Sequence, residues 1–160
     1  MKSASRFLMI ILMLAAAVVA QTDARAEHAV RQTVESFYEA FKMHSFNNAE
    51  NFATEDWNHI NPFGGRTRGR EATLRELKEV HSTFLKGVSD KIEDMDVRFA
   101  GADAAVVTVT SQMTAFTTPD GVKHENEQHI RTFVLVKRMG KWAIMQDQNT
   151  VVVHGPASKP

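Results

Sequence analysis

The strongest constraint on the fold of this chain is its C-terminal stretch, residues 129–153, in which two β-rich runs flank a short polar turn. The runs cover residues 130–137 and 142–153, and the turn contains Gly140, which adopts a positive φ at low cost. Two such runs joined by a short turn predict a β-hairpin. This end of the chain therefore belongs to an antiparallel sheet.

The two runs also predict what kind of surface the hairpin presents. Side chains alternate across a strand, so one face of the first run carries His129, Arg131, Phe133 and Leu135. By the same rule, one face of the returning run carries Trp142, Ile144, Gln146 and Gln148. Both series are apolar near the turn and polar away from it. They predict a cavity with an apolar end and a few directed polar groups.

The N-terminus has the pattern of a secretory signal peptide. It opens with basic residues followed by the apolar run 7–20, which is too short to span a membrane. Residues 24–26, Ala-Arg-Ala, offer a cleavage site, and residues 18–20 offer an alternative. We expect residues 1–26 to be removed, leaving a soluble product that is secreted or periplasmic and has no membrane association.

The charge and the absence of cysteine exclude several classes of function. Without residues 1–26 the chain has 16 basic and 18 acidic residues, and no basic cluster, so a nucleic-acid partner is not expected. With no cysteine there can be no disulfide, lipid thioether or thiol nucleophile. There is also no Gly-rich phosphate loop and no G-x-S-x-G motif, so no organic cofactor is expected.

One histidine-rich segment could suggest a metal site. His124 and His129 bracket it, but they lack the H-E-x-x-H spacing that brings two imidazoles to one ion. The segment follows a turn and enters a strand, so the two histidines are expected on opposite faces. No metal site is predicted.

The order of the remaining elements predicts the fold class. Apolar residues at helical spacing indicate a helix over residues 27–44, a short second helix over 49–53 and a further helix over 70–85. A brief strand at 57–61 and four long strands complete the pattern. We expect a single α+β domain over residues 27–153, with about three N-terminal helices on the concave face of a curved antiparallel (mixed) sheet. Residues 154–160 are expected to form a disordered tail.

This order, and several short motifs, resemble the SnoaL-like, nuclear-transport-factor-2-like superfamily of cone-shaped domains, with the SgcJ/EcaC-type branch as the most similar. The motifs that carry the resemblance are residues 37–41 (F-Y-E-A-F), 56–57 (D-W), 62–64 (P-F-G), 69–70 (G-R), 131–137, 140–142 (G-K-W) and 148–150 (Q-N-T). The superfamily includes isomerases, dehydratases, cyclases, hydrolases and non-catalytic binding or assembly domains. The resemblance therefore implies the fold more firmly than the activity. It also implies a homodimer formed through the outer face of the sheet.

Two kinds of enzyme in the superfamily have catalytic residues that can be compared with this sequence. The resemblance to ketosteroid isomerases fails at both functional positions, since Asn61 stands where those enzymes have their catalytic aspartate and Phe37 where they have a tyrosine. Scytalone dehydratase is partly similar, because His59 and His81 form a comparable histidine pair. The aspartate and tyrosines that accompany such a pair cannot be placed from the sequence.

Three residues are the candidates for catalysis. His81 occupies a core-facing helical position, where it is either a buried histidine with one hydrogen bond or a general acid or base. His59 shares a strand face with Trp57 and Asn61, and that face is either half-exposed or turned into the pocket. In an enzyme, His81 would act as base, His59 as acid or oxyanion partner, and Asn61 as hydrogen-bond donor.

The remaining candidates would line the ligand cavity. They are Trp57, Phe63, Phe84, Ser111, Met113, His129, Arg131, Phe133, Gln146 and Gln148. Arg131 either binds a ligand carboxylate or phosphate or pairs with a carboxylate at the rim. Gln146 and Gln148 either orient a ligand carbonyl or hydroxyl or face solvent, and the solvent-facing position is favoured for Gln146. Three hypotheses follow: a binder of a small, mostly apolar ligand, a cofactor-independent dehydratase, cyclase or isomerase, and a non-catalytic dimeric assembly module.

Overall fold

The structure is a computed structural model that describes residues 24–125 and 127–153. Most of the predicted signal peptide, residues 1–23, and the predicted tail, residues 154–160, lie outside the described residues. No helix within the described ranges is both long and apolar enough to cross a membrane.

Two α-helices are present in the described part of the chain, rather than about three. Helix α1 covers residues 24–42 and helix α2 covers Arg70–Ser82. The predicted short helix is a single 3-10 turn, Ala49–Asn51, because β1 begins two residues later and leaves no room for an α-helical turn. Helix α2 ends before residue 85, since Thr83 adopts a non-helical φ of −114° and ψ of −110°.

Eight strands, formed by the alternating β-rich runs, are present among residues 24–125 and 127–153. In chain order they are β1 (Ala53–Ile60), β2 (Arg66–Arg68), β3 (Asp90–Phe99), β4 (Ala104–Met113), β5 (Phe116–Thr117), β6 (Lys123–His124), β7 (Gln128–Arg138) and β8 (Lys141–Val151). Six of them form one sheet in the order β2-β1-β8-β7-β4-β3, and β5 and β6 pair separately. Strands β1 and β8 are parallel and the other neighbours antiparallel, so the sheet is mixed.

The core lies between α1 and the inward face of the sheet. The predicted apolar stripe of α1 is confirmed, since Val30, Val34, Phe37 and Phe41 are all buried. Phe37 packs against Phe133 of β7, with ring centroids 5.4 Å apart. The four predicted inward residues of β7 are buried as well. The helices therefore cover one face of an α+β cone.

A β-bulge in β8 changes the orientation of half of that strand. Leu135 pairs with Ile144, but the next residue of β7, Val134, pairs with Gln146. Met145 is the extra residue between the two pairs. One inserted residue moves every following side chain to the opposite face of a strand.

The prediction that Gln146 and Gln148 share a face with Trp142 and Ile144 is therefore wrong. Gln148 is exposed and Gln146 is half-buried on the outer face. Asp147 and Asn149, at 0% and 5% exposure, take the inward positions instead. Because of the bulge, the inside of the cone contains the carboxylate of Asp147 and the amide of Asn149 instead of the two amides of Gln146 and Gln148.

Candidate functional site

A cavity of about 90 Å³ opens between α2 and the inward ends of β7 and β8. Most of its wall is apolar, and the apolar lining includes Phe41, Leu77, Val80, Phe84, Met113 and Phe116. The polar lining residues are Asn61 and Asn149, the histidines 59, 81 and 129, and Glu76, Glu127 and Arg131. The predicted pattern of an apolar wall with a few directed polar groups is present.

A fully buried carboxylate organises one side of the cavity. Both oxygens of Asp147 lie 3.0 Å from Nδ1 of His59, and Oδ1 also accepts a hydrogen bond of 2.8 Å from Nε1 of Trp57. Because a carboxylate only accepts hydrogen bonds, Nδ1 of His59 carries the proton. The described residues offer no partner to Nε2 of His59, so that nitrogen remains free to act on a ligand.

Arg131 completes this group from β7. Its NH1 donates to Oδ2 of Asp147 at 3.3 Å, and its guanidinium lies 4.8 Å above the ring of Phe37. The arginine pairs with a buried carboxylate rather than with one at the rim. Its charge is therefore already balanced before any ligand enters.

A second polar chain runs along β7 and β8. Nδ2 of Asn149 donates to Nδ1 of His129 at 2.8 Å, and this places the ring proton of His129 on Nε2, which faces Glu127 at 3.4 Å. The same carboxylate lies 2.8 Å from Nδ1 of His124. The expectation that His124 and His129 occupy opposite faces is wrong, because they lie on different strands, β6 and β7, and both contact Glu127.

His81 lies in the cavity wall in a different environment. Its ring packs edge-on against Phe41 and Phe46, at centroid distances of 4.4 and 5.1 Å. Its Nδ1 is 2.7 Å from Nδ1 of His44. Burial, followed by the proximity of His44 and Arg131, lowers the pKa of His81 from 6.5 to about 4. His81 is therefore neutral near pH 7 and a weak base.

Asn61 is committed to a turn. Its Oδ1 accepts hydrogen bonds from the backbone of Phe63 and Gly65, and its Nδ2 donates to Glu76 at 3.1 Å. The other oxygen of Glu76 accepts a hydrogen bond from Thr67. The side chain of Asn61, which was predicted to be a catalytic hydrogen-bond donor, therefore stabilises the loop between β1 and β2 and its contact with Glu76.

The remaining predicted ligand contacts divide into two groups. Phe63, Phe84 and Met113 line the cavity, with Phe63 at its exposed edge. Trp57, Ser111 and Phe133 are fully buried and lie outside the lining. Within the described ranges, no group of three or more acidic, histidine or cysteine side chains is placed to hold a metal ion.

Sequence reasoning missed four residues of this site: His44, Glu127, Asp147 and Asn149. Asp147 was hidden because strict alternation assigns it to the outer face, and the bulge that reverses this leaves no mark in the sequence. His44 follows α1 and its reach toward His81 depends on tertiary packing. Glu127 carried a visible signal, since it lies between two histidines in the sequence.

The fold and the cavity together define an α+β cone domain with a small internal pocket. Comparison with known families assigns it further: the SnoaL-like domain matches residues 30–154. The chain belongs to the SnoaL-like domain family, as the sequence motifs predicted. The finer resemblance to the SgcJ/EcaC-type branch stays a prediction.

Solved structures share this fold at low sequence identity. An uncharacterised protein with a cystatin-like fold from Caulobacter vibrioides is 21% identical, with a TM-score of 0.77 over 79% of this chain and 89% of that chain. A putative scytalone dehydratase from Novosphingobium aromaticivorans is 19% identical, with a TM-score of 0.66 over 88% and 96%. A hexachlorocyclohexane dehydrochlorinase (LinA) type 2 is 11% identical, with a TM-score of 0.70 over 88% and 99%. No curated protein matches the chain.

Proposed function

We propose that this domain binds a small, mostly apolar molecule that carries one neutral oxygen-bearing group. The observation that supports it is the cavity itself, whose apolar wall is interrupted on one side by His59 with a free Nε2. Such a mixture of apolar wall and few polar groups is typical of small-molecule sites. The scale also limits the ligand, since a cavity of about 150 Å³ holds benzene. A volume of about 90 Å³ is smaller than that and suits a short chain of a few heavy atoms.

The charges around the cavity favour a neutral ligand over an anion. Among the described lining residues, Glu76 and Glu127 are acidic and Arg131 is basic, and Arg131 is already paired with Asp147. A ligand carboxylate would therefore meet more negative than positive charge. A ketone or alcohol oxygen needs only a hydrogen bond.

This proposal is tested by comparing two probes of the same shape, butanone and propanoate, by NMR chemical-shift perturbation. We expect the ketone to shift the resonances of the cavity residues and the carboxylate to leave them unchanged. Val80→Phe fills the cavity and should abolish the shifts. Glu79→Phe adds the same ring at an exposed position of α2 and should leave them intact. Equal binding of both probes, or binding that survives Val80→Phe, would contradict the proposal.

A second candidate function is cofactor-independent proton transfer of the dehydratase or isomerase kind, with His59 as general base. The specific observation is the His59–Asp147 pair, in which a buried carboxylate holds the tautomer that leaves Nε2 unprotonated. As Nε2 takes a proton, the adjacent carboxylate stabilises the positive imidazolium. The assignment differs from the sequence-based one, because burial lowers the pKa of His81 to about 4 and makes it a weak base.

The second candidate can be tested without knowing the natural substrate. A base in the cavity should accelerate deuterium incorporation at the α-carbon of bound butanone in heavy water, followed by NMR. Asp147→Asn removes the charge that supports the base and should reduce the rate on the order of 10²-fold. Gln148→Ala, at the exposed neighbouring position, should have no effect. A rate that is unchanged in Asp147→Asn would exclude this role for the pair.

Export and self-association complete the proposal. The N-terminal pattern of residues 1–26 supports secretion, and mass spectrometry of the mature protein from the periplasm or medium would give the cleavage site.

The outer sheet face, where Val106, Thr108 and Val134 are half-buried, supports a homodimer. Light scattering should give a dimer mass, and Val134→Lys should give a monomer. A monomeric wild-type protein would remove the dimer from the proposal.

A further inference from the structure

The His44–His81 pair crosses the wall of the cavity from one side to the other. His81 lines the cavity, whereas His44 lines a separate cleft on the protein surface together with Ser45, Asn47 and Lys78. His81 is 4% exposed and His44 is half-buried. The two imidazoles therefore form a continuous polar contact between the cavity and a separate cleft on the protein surface.

The contact between the rings has the geometry of a hydrogen bond. The two Nδ1 atoms are 2.7 Å apart, so one of them must donate and the other accept. In a neutral pair the donor ring carries its only proton on Nδ1, and the acceptor ring carries its only proton on Nε2. Nε2 of His81 is buried and has no partner among the described residues. The outer nitrogens of the pair are thus available on both sides of the wall.

The backbone at His44 is adapted to this contact. His44 has a φ of +49°, one of two positive values among the described non-glycine residues. Its amide donates to the carbonyl of Phe41 at 3.0 Å, which closes the end of α1. A left-handed residue other than glycine costs about 1–2 kcal/mol. This conformation accompanies the placement of the ring against His81.

We propose that His44 and His81 form a proton relay that connects the cavity with solvent. A proton that leaves a cavity ligand binds Nε2 of His81, and the proton on Nδ1 of His81 moves to Nδ1 of His44. His44 then releases its Nε2 proton to water. In this passage the ligand's bond to its proton breaks, one N–H bond forms and one breaks on each ring, and the released proton forms an O–H bond to water. Both rings are neutral before and after the passage, the ligand is left with one negative charge and the solvent gains the proton. His81 would contact the ligand, and His44 would act through His81.

The relay has a consequence for the class of reaction. After one passage each ring carries its proton on the opposite nitrogen, so the pair is reset when the next proton travels the other way. Reactions that remove one proton and return another, such as isomerisation or loss of water, satisfy this balance. The consequence rests on the second candidate function, in which His59 moves protons in the same cavity. The relay itself requires no particular substrate.

Charged groups on each side of the relay define its environment. Arg131 and Glu76 line the cavity near His81, and Lys78 lines the surface cleft that holds His44. Arg131 and His44 both lower the pKa of His81, after the effect of burial. His81 therefore stays neutral at pH 7, which leaves its Nδ1 and Nε2 free to exchange a single proton.

The experiment measures the exchange of the His81 ring N–H with water by NMR, in the ligand-free protein labelled with ¹⁵N-histidine. His44→Asn is the matched variant, because asparagine tolerates a positive φ and can hydrogen-bond His81 but cannot carry a proton through its side chain. We expect exchange to be slower by about tenfold or more in this variant, since it must then wait for local opening. His44→Gly, also suited to the positive φ, should slow it similarly.

Unchanged exchange in both variants would overturn the relay. Slower exchange in His44→Asn that is accompanied by the same slowing of the His129 ring N–H would also overturn it, because a general change in opening would then be the cause. The butanone assays address ligand binding and the His59 base separately. Failure of the relay and failure of the proposed function are therefore distinguishable.

Discussion

His59 and His81, which the sequence predicted to share one cavity, differ in the group that contacts Nδ1 of each ring. His59, on β1, has a buried carboxylate behind Nδ1, whereas His81, on α2, has another imidazole there. A carboxylate stabilises a protonated ring, and a second imidazole in an apolar surrounding does not. The same residue type in the same pocket is therefore suited to two roles, accepting a proton in one case and passing it on while neutral in the other.

The largest expected effect on stability comes from removing the groups that contact Nδ1 of the two histidines, which are Asp147 for His59 and His44 for His81. Asp147→Ala leaves Arg131 as a buried charge without a counter-charge, so the free energy of unfolding should fall by about 3–5 kcal/mol. His44→Ala leaves only a neutral ring without a partner and should cost about 1 kcal/mol. Urea unfolding measures both. Similar losses in the two variants would mean that the two histidines are held in equivalent ways.

The pH dependence of stability should be visible through His81. Its pKa is about 4 in the folded protein and 6.5 in the reference state, so the unfolded chain binds more protons between these values. The free energy of unfolding should therefore decrease as the pH falls from 6.5 to 4, at no more than about 1.4 kcal/mol per pH unit. Above pH 6.5 this contribution is fully present.

The control for this pH dependence is a comparison of two histidine variants. His81→Leu should flatten the decrease in the unfolding free energy between pH 6.5 and 4. His28→Leu, at an exposed position of α1, should retain it. A wild-type slope that is kept in His81→Leu would show that other groups cause it.

The smallest effects distinguish the two faces of β8. Asn149→Ala removes the hydrogen bond to Nδ1 of His129 and should cost about 1 kcal/mol in urea unfolding. Gln148→Ala, on the exposed face, should change stability by less than about 0.5 kcal/mol. A larger loss of unfolding free energy for Gln148→Ala than for Asn149→Ala would mean that Gln148, and not Asn149, faces the interior. That result would contradict a bulge at Met145.

Much of the fold could be predicted because it depends on periodicity. The apolar stripe of α1 and the alternation of β7 both appear in the sequence, and each is buried as expected. The short helix and the end of α2 could not be predicted, because the early start of β1 and the backbone of Thr83 decide them. The same limit applies to β8, where the unpaired Met145 reverses the alternation.

The site was predicted in part for related reasons. His59 and His81 were assigned to one cavity from their positions on a strand and a helix, and both line it. Their partners, Asp147 and His44, depend on a bulge and on a left-handed residue after a helix. Neither feature has a strong sequence signal, since Met145 and His44 are ordinary residues at such positions. The chemistry of the site therefore required the coordinates.

The most direct test is to determine where the ring protons of His59 and His81 lie, by ¹⁵N NMR of the imidazoles between pH 8 and pH 4. We predict that at neutral pH His59 carries its proton on Nδ1, facing Asp147, while Nε2 is unprotonated. We predict that His81 stays neutral until the pH approaches 4. A proton on Nε2 of neutral His59, or protonation of His81 near pH 6.5, would contradict the assignment of His59 as the base.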